Sequence, residues 1–450
     1  MYCEMHSAFS FRNGFFPNED LPTVATGAAM PSTICIFEDE TFGNFLPLVY
    51  TRPVYDLKCG TTSLRERIQR SFPKARVVLH CREYLAEYLS LRNPDCPINK
   101  LPDDHCLFLN GRILEERNLA RLFPLDSKRD QLYLKDGQVV AARLSGSNLR
   151  GVETELKHPL STKHFGPIAG TDVDVKLVSY PWDLVHRNGD MLIHDGEDLL
   201  AHKRGSKGKI WKGAYVVAPK KIMIGKGSNV MPGAVLDATD GPIIIGDQVK
   251  VFSQATIIGP SFIGSNSLVK VGASIYEGCT IGPRCKVGGE IDSSIVHGYS
   301  NKQHSGFLGH SYVGKWVNLG ADTNTSDLKN NYGHVRVTIA GRQINTGLQF
   351  FGLIMGDHTK SAINSMFNTG AVVGVSCNVA MAGFPPKWIP SFSWVTGEGL
   401  LETYDLQRAR EVARRVMERR HVVFSTAEEE LFKRVFDATR EERSYPDIDG

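Results

Sequence analysis

The chain has 450 residues, 42% hydrophobic and 22% charged, and its 52 Lys plus Arg against 49 Asp plus Glu leave a formal net charge of +3. That length exceeds what one core supports, so two or three domains are expected, and the even charge balance excludes a nucleic-acid binder or an acidic tail; any anionic ligand needs a local site. Nine cysteines without a C-x-x-C pair point to reduced thiols and no metal site, and the lack of a long apolar run to no membrane span, so a cytoplasmic protein is expected.

Residues 1–33 carry prolines and charges without a continuous apolar core and read as a flexible extension rather than a secretory signal. Order is expected to begin at the apolar run 34–37, a strand that ends in Glu38 and Asp39. A polar segment, 51–60, leads into a helix over 64–70, followed by strands over 75–80 and 106–109. The second of these delivers Asn110-Gly111-Arg112 to a loop, and strand ends followed by glycine turns are where open α/β sheets place ligands. Asp136-Gly137 predicts a hairpin joining 131–135 to 138–143, and 177–200 read as a strand and a helix that close an α/β domain spanning 34–200. Residues 201–209, a glycine-punctuated charge run, are expected to be a linker, with phosphate binding as the lesser reading.

From Ile245 to Val287 an aliphatic residue returns at every sixth position: Ile245, Val251, Ile257, Ile263, Val269, Ile275, Ile281, Val287. Small or slender side chains follow four positions after each of the first seven, from Val249 and Ala255 to Cys279 and Cys285. No helix or ordinary strand has this period, and it is the signature of a left-handed parallel β-helix, whose triangular coils admit one inward aliphatic per side. The two cysteines are expected to stack at one corner. The register extends back to Ile210, Val216 and Ile222, slips near 233–241, and returns at Phe307, Val313 and Leu319; over 338–379 coils are expected with a less regular column. The coil is expected to end at 385–390, giving a β-helix domain of 210–390 and a helical segment of 391–450 with two amphipathic helices.

Glu290, His304-Ser305-Gly306-Phe307-Leu308-Gly309, Val317-Asn318-Leu319-Gly320-Ala321 and Asn331-Tyr332-Gly333 follow one another at defined spacings. This series resembles the acetyltransferase half of the bifunctional bacterial enzymes that make UDP-N-acetylglucosamine, in which an acetyltransferase is joined to a uridylyltransferase. The resemblance implies His304 as the general base, Glu290, Asn318 and Asn331 as sugar ligands, and the backbone near Ala321 as the contact to an acyl-CoA co-substrate, in particular acetyl-CoA. His358 is a reserve base. Phe307, Asp292 and Cys377 stand where that family has a tyrosine, a lysine and a basic residue. The family's glycine-rich nucleotide loop is absent; the layout instead is similar to a distinct set of sugar nucleotidyltransferases with Leu-Pro-Leu-x-x-Thr-Arg-Pro, here 46–53, and Asn-Gly-Arg, here 110–112. For a first domain acting on an NTP with Mg²⁺ and a sugar-1-phosphate, Arg52, Lys58 and Arg112 are the candidate phosphate contacts. The expected assembly is a homotrimer, with a small-molecule sugar phosphate and a nucleotide as partners and no nucleic acid or membrane. Two alternatives remain open: a single-activity enzyme whose first domain only binds a ligand, and a non-catalytic trimeric scaffold.

Overall fold

The computed structural model describes residues 33–101, 105–114, 119–127, 129–202, 206–397 and 399–444. All of the expected extension but Thr33, part of the linker and the last six residues lie outside the described residues.

The first domain is built on a six-stranded sheet. Its strands are β1 (Thr33–Phe37), β2 (Arg76–Leu79), β3 (His105–Asn110), β4 (Gln131–Lys135), β5 (Gln138–Ser145) and β6 (Gly170–Asp172), in the order β2-β1-β3-β5-β4-β6. β1 runs parallel to both β2 and β3, whereas β5 pairs antiparallel with β3 and, as the Asp136-Gly137 hairpin requires, with β4. β1 is buried throughout, which its unbroken Thr-Ile-Cys-Ile-Phe sequence demands of a central parallel strand. Helix α1 (Leu64–Ser71) opens with a reciprocal cap between Ser63 and Glu66, and the shorter α2 (Ala86–Arg92) follows β2. Helix α3 (Gly146–Glu153) follows β5.

Residues 177–180 form no strand of their own; Leu177 makes one bridge to Ile113, and the helix begins at once with Pro181. This helix, α4 (Pro181–His202), does more than close the first domain. Its Leu192 and Leu199 pack on Met223, Ile244 and Phe262 of the β-helix, and a Cβ placed on Gly196 would stand 2.4 Å from Pro242 Cγ.

The β-helix has three faces of stacked parallel strands. The first face runs from Tyr215–Val217 to Phe307–Gly309, the second from Ile222–Ile224 to Trp388–Ile389, and the third begins at Lys209–Ile210 and continues to Ser393–Val395. The aliphatic column fills the interior, and all eight residues from Ile245 to Val287 are buried. At the corner from the second to the third face the chain turns through left-handed residues, among them Arg284, Tyr299, Trp316 and His358.

Several expectations are corrected. Cys279 and Cys285 lie on successive sides of one coil rather than at one corner, because six residues advance the chain by a side and eighteen complete a turn: Ile263 pairs with Ile281. The inward residue at the return of the register is Leu308, not Phe307, which is half-buried, and Lys302 occupies the inward place above Val287. Residues 336–345 form an antiparallel hairpin, Arg336–Ile339 with Arg342–Asn345, outside the stack, so coils resume only at Ile354. Prolines 385, 386 and 390 do not end the coil, which continues through Ser393–Val395 and is closed by an antiparallel strand, Leu401–Thr403.

Helices α5 (Leu406–Glu418) and α6 (Thr426–Ala438) then fold back. Their apolar faces join Tyr55, Leu85 and Leu89 of the first domain and Trp316 and Phe392 of the β-helix in one core.

Candidate functional sites

In the first domain the crevice lies at the carboxyl end of β1, where the chain passes to β2 on one side and β3 on the other. Two buried ion pairs occupy it. Glu38 accepts from Arg82 Nε at 2.8 Å and from the Val54 amide at 3.0 Å, while Asp39 accepts from Arg112 Nη2 at 2.7 Å and from Asn110 Nδ2 at 2.8 Å. Gly111 is needed here because a Cβ would meet the Tyr55 side chain at 2.8 Å. Beside Arg112, whose Nη1 donates to the Val178 carbonyl at 2.7 Å, a cleft of about 360 Å³ is lined by Lys135, Gln138, Val178, Asp183 and Arg187.

The polar segment 51–60 reaches across to the β-helix. Arg52 is buried and paired with Asp357, which also accepts from Thr51 Oγ1 at 2.8 Å and from the Lys315 amide at 2.8 Å. The Lys58 amide donates to Tyr312 Oη at 2.7 Å, and the Lys58 side chain is half-buried. Behind it Gly60, in a left-handed turn, donates to Asn188 Oδ1 at 2.7 Å, and Arg67 makes two bonds, 2.7 and 2.9 Å, to the buried Asp195 of α4. The guanidinium groups of Arg52 and Arg112 are therefore committed to carboxylates by ion pairs, whereas, against burial of the Glu66 carboxyl, the Lys58 ammonium acts on it from a distance and helps hold it below the usual range. Asp39 and Glu38 are likewise satisfied by guanidinium groups, and no group of three His, Cys, Asp or Glu side chains among the described residues could hold a metal ion. As arranged, these carboxylates do not fit a divalent cation.

On the β-helix, Glu290 and the turn that carries His304 lie on adjoining coils. The Glu290 amide donates to the Gly306 carbonyl at 3.1 Å, and Glu290 is opposite Phe307 in the first face. His304 and Glu290 are exposed. Asn318 stacks on Asn301, whose Nδ2 donates to its Oδ1 at 3.2 Å, in the third face. Asn331 sits apart on the excursion that precedes the hairpin, where its Oδ1 accepts from the Gly333 amide at 3.0 Å. Ala321 is in the turn after Asn318, and its carbonyl accepts from the Asn364 amide at 2.9 Å.

Two residues that hold His304 in place escape a reading for chemistry. Lys302 Nζ donates to the carbonyls of His304, Ser305 and Gly288 at 2.9, 3.2 and 3.2 Å, and burial lowers its ammonium to about 8 against the pull of Asp322 and Glu290. Gly289 is the second, since a Cβ there would come within 2.7 Å of the His304 carbonyl oxygen. The sequence carries no signal for Lys302, because the sixfold register from Val287 passes through 293, 299 and 305, and a shortened coil brings Lys302 into the inward place.

His310, at the corner from the first to the second face, has Nδ1 2.8 Å from Asp327, with His186 and Phe350 beside its ring. The reserve base His358 is buried between Trp316 and Phe432, and burial lowers it to about 3, too weak a base for proton abstraction near neutrality. Cys377 faces the coil interior, and burial pushes its thiol up to about 12.

Residues 34–204 match the family described as sugar nucleotidyl transferase. This segment and the β-helix after it define a sugar-nucleotidyltransferase-type domain carried on a hexapeptide β-helix. The chain is GlmU-like: it is 32% identical over 149 residues to the bifunctional protein GlmU of Rippkaea orientalis, covering 33% of this chain and 28% of that one. It is 26% identical over 170 residues to GlmU of Synechococcus elongatus, covering 37% of this chain and 32% of the relative, so it spans about a third of the length of the curated relatives it matches. Among solved structures, an Arabidopsis UDP-N-acetylglucosamine acyltransferase aligns with 53% of this chain and 91% of its own at 13% identity and a TM-score of 0.19. No helix among the described residues is long and apolar enough to cross a membrane.

Proposed function

We propose that the β-helix catalyses acyl transfer from an acyl-CoA, in particular acetyl-CoA, to an amine or hydroxyl of a sugar phosphate. The observation that carries this reading is the His304 turn, which Lys302 and Gly289 fix beside Glu290 on the adjoining coil. The imidazole removes the acceptor proton as the acceptor atom attacks the thioester carbonyl; the C–S bond then breaks and the thiol of CoA leaves. Glu290 and Asn318 hold the sugar, and the backbone near Ala321 faces the acyl donor. Asn331, distant on its excursion, is assigned to the same acceptor through a neighbouring copy in a homotrimer. A cytoplasmic setting accords with eight described cysteines that are all free thiols.

The first domain is assigned to nucleotidyl transfer from an NTP to a sugar-1-phosphate, with Lys58 as its available cation. A second reading, in which this domain binds a ligand without turning it over, is favoured by the ion pairs Glu38–Arg82 and Asp39–Arg112 that fill the crevice.

Acetyl-CoA supplied with amino-sugar phosphates should release free thiol, and His304→Ala should slow that release about 10²–10⁴-fold. Undiminished release in His304→Ala together with loss in His310→Ala would transfer the base to His310. Pyrophosphate release from NTPs and sugar-1-phosphates decides between the two readings of the first domain, and light scattering at other than three chain masses would remove the trimer.

A further inference from the structure

The third face of the β-helix meets the end of α5 in a cluster of cations. Arg420, just beyond α5, reaches over to the coil, where its Nη1 donates to the Arg284 carbonyl at 3.2 Å and its Nη2 to Asn301 Oδ1 at 2.8 Å. Lys286 stands beside Asn301 in the strand register, and Lys270 lies one coil below, its amide bonded to the Val287 carbonyl at 2.8 Å. Arg284 projects over the Tyr299 ring, its guanidinium carbon 5.8 Å from the centroid. Arg419 is exposed; Lys270, Arg284, Lys286 and Arg420 are half-buried.

What sets this cluster apart is its lack of compensation. After burial, the charges acting on Lys286 are those of Arg420, Arg419 and Lys270, all cations, and they hold its ammonium below the usual lysine range. Arg420 is likewise held down by burial and by Arg419 and Arg284, and the other groups acting on it are Cys285 and Tyr299 rather than carboxylates. Like charges crowded together repel unless an anion sits among them. Four buried arginines, by contrast, have carboxylates: Arg52 has Asp357, Arg67 has Asp195, Arg82 has Glu38 and Arg112 has Asp39.

We propose that Lys270, Arg284, Lys286, Arg419 and Arg420 form a binding site for a small anion that carries two or more phosphate groups. Guanidinium groups match phosphate oxygens with paired donors, and the lysines add point charges. The cluster crosses the narrow third face, from Arg284 before its strand to Lys270 after it on the coil below, which suits a compact ligand rather than a nucleic-acid strand. Arg284 lies at the opposite corner of the third face from the His304 turn, and the site stands whether or not that turn is catalytic. Two sources share the chemistry: an inorganic polyphosphate, and a nucleoside diphosphate whose base would meet the Tyr299 ring.

Calorimetric titration of the full chain with pyrophosphate and with ADP tests the site. The expected result is saturable binding of at least one probe that weakens about tenfold in Lys286→Gln and in Arg420→Gln, the loss of one charge-assisted contact each. Lys286 bonds to the fold through its amide, which donates to the Ser300 carbonyl at 3.1 Å, and a glutamine keeps that bond, so its variant remains informative if the loss of Arg420 unseats the helix. Tighter binding of ADP identifies a nucleotide ligand, and equal or tighter binding of pyrophosphate an inorganic one. No saturable binding of either probe, or affinities unchanged in both variants, would overturn the proposal.

Discussion

Three histidines show what burial does to a single side chain. His80 accepts from the Glu38 amide through Nδ1 and contacts the His158 carbonyl through Nε2, and burial lowers it from 6.5 to about 4. His358 falls to about 3, and His297, whose Nε2 is 2.9 Å from the Asp56 carbonyl, is held well below 6.5 by burial and then by Arg52, Lys315 and Lys58. A histidine whose folded value is depressed binds its proton more readily when unfolded. Its contribution to stability is therefore complete above 6.5 and is lost as the pH falls from 6.5 towards the folded value. Each should remove about 1.4 kcal/mol per pH unit across that window. Thermal midpoints are thus expected to drop steeply from pH 6.5 to 4.5, and a flat profile over that range would show that these rings are charged in the fold. Lys302 belongs to the same scale: the column admits it only because three carbonyls receive its ammonium, and the consequence is a fixed turn at His304.

Among the elements, α4 has the least predictable role. Its amphipathic pattern marks a helix, but nothing in that pattern says that the helix serves as the strut between the two domains. Gly196 decides the spacing, because a methyl group there would collide with Pro242. Helix propensity alone predicts that Gly196→Ala stabilises by about 1 kcal/mol. The close approach predicts the reverse, a lower thermal midpoint as the helix is pushed off the coil, and a raised midpoint would show that the contact yields freely. The β-helix was far more legible. Its column from Ile245 to Val287 could be read directly because a narrow prism accepts one residue class at one spacing. The hairpin at 336–345 was missed because an excursion leaves the column without leaving any periodic trace of its own.

At the scale of the whole molecule, two of the residues singled out for phosphates, Arg52 and Lys58, turn out to tie the first domain to the β-helix. Arg52 and Thr51 meet Asp357 across more than three hundred residues of chain, and α6 closes the circle through Arg92 and Glu428 at 2.8 Å. Asp357→Ala would leave the Arg52 guanidinium buried without its counter-charge, which costs about 3–5 kcal/mol. The urea midpoint should fall accordingly, while Arg52→Met with Asp357→Leu should recover much of it; a midpoint unchanged in Asp357→Ala would mean that water reaches the seam.

The sequence by itself determined the β-helix, the strands from 34 to 109, the hairpin after them and the two final helices, because local period, turn chemistry and capping specify such elements. Glu290, His304 and Asn318 were marked by a family resemblance; the fold sets Glu290 beside the turn that carries His304 and places Asn318 against Asn301 in the third face. Only the tertiary structure decided what the isolated charges do. Arg52 and Arg112 read alike in the sequence as open cations, and each is closed by a carboxylate from another part of the fold, whereas Arg420 and Lys286 stand together without an ion pair. Pairing of charges depends on where distant segments meet, and no local pattern records that meeting.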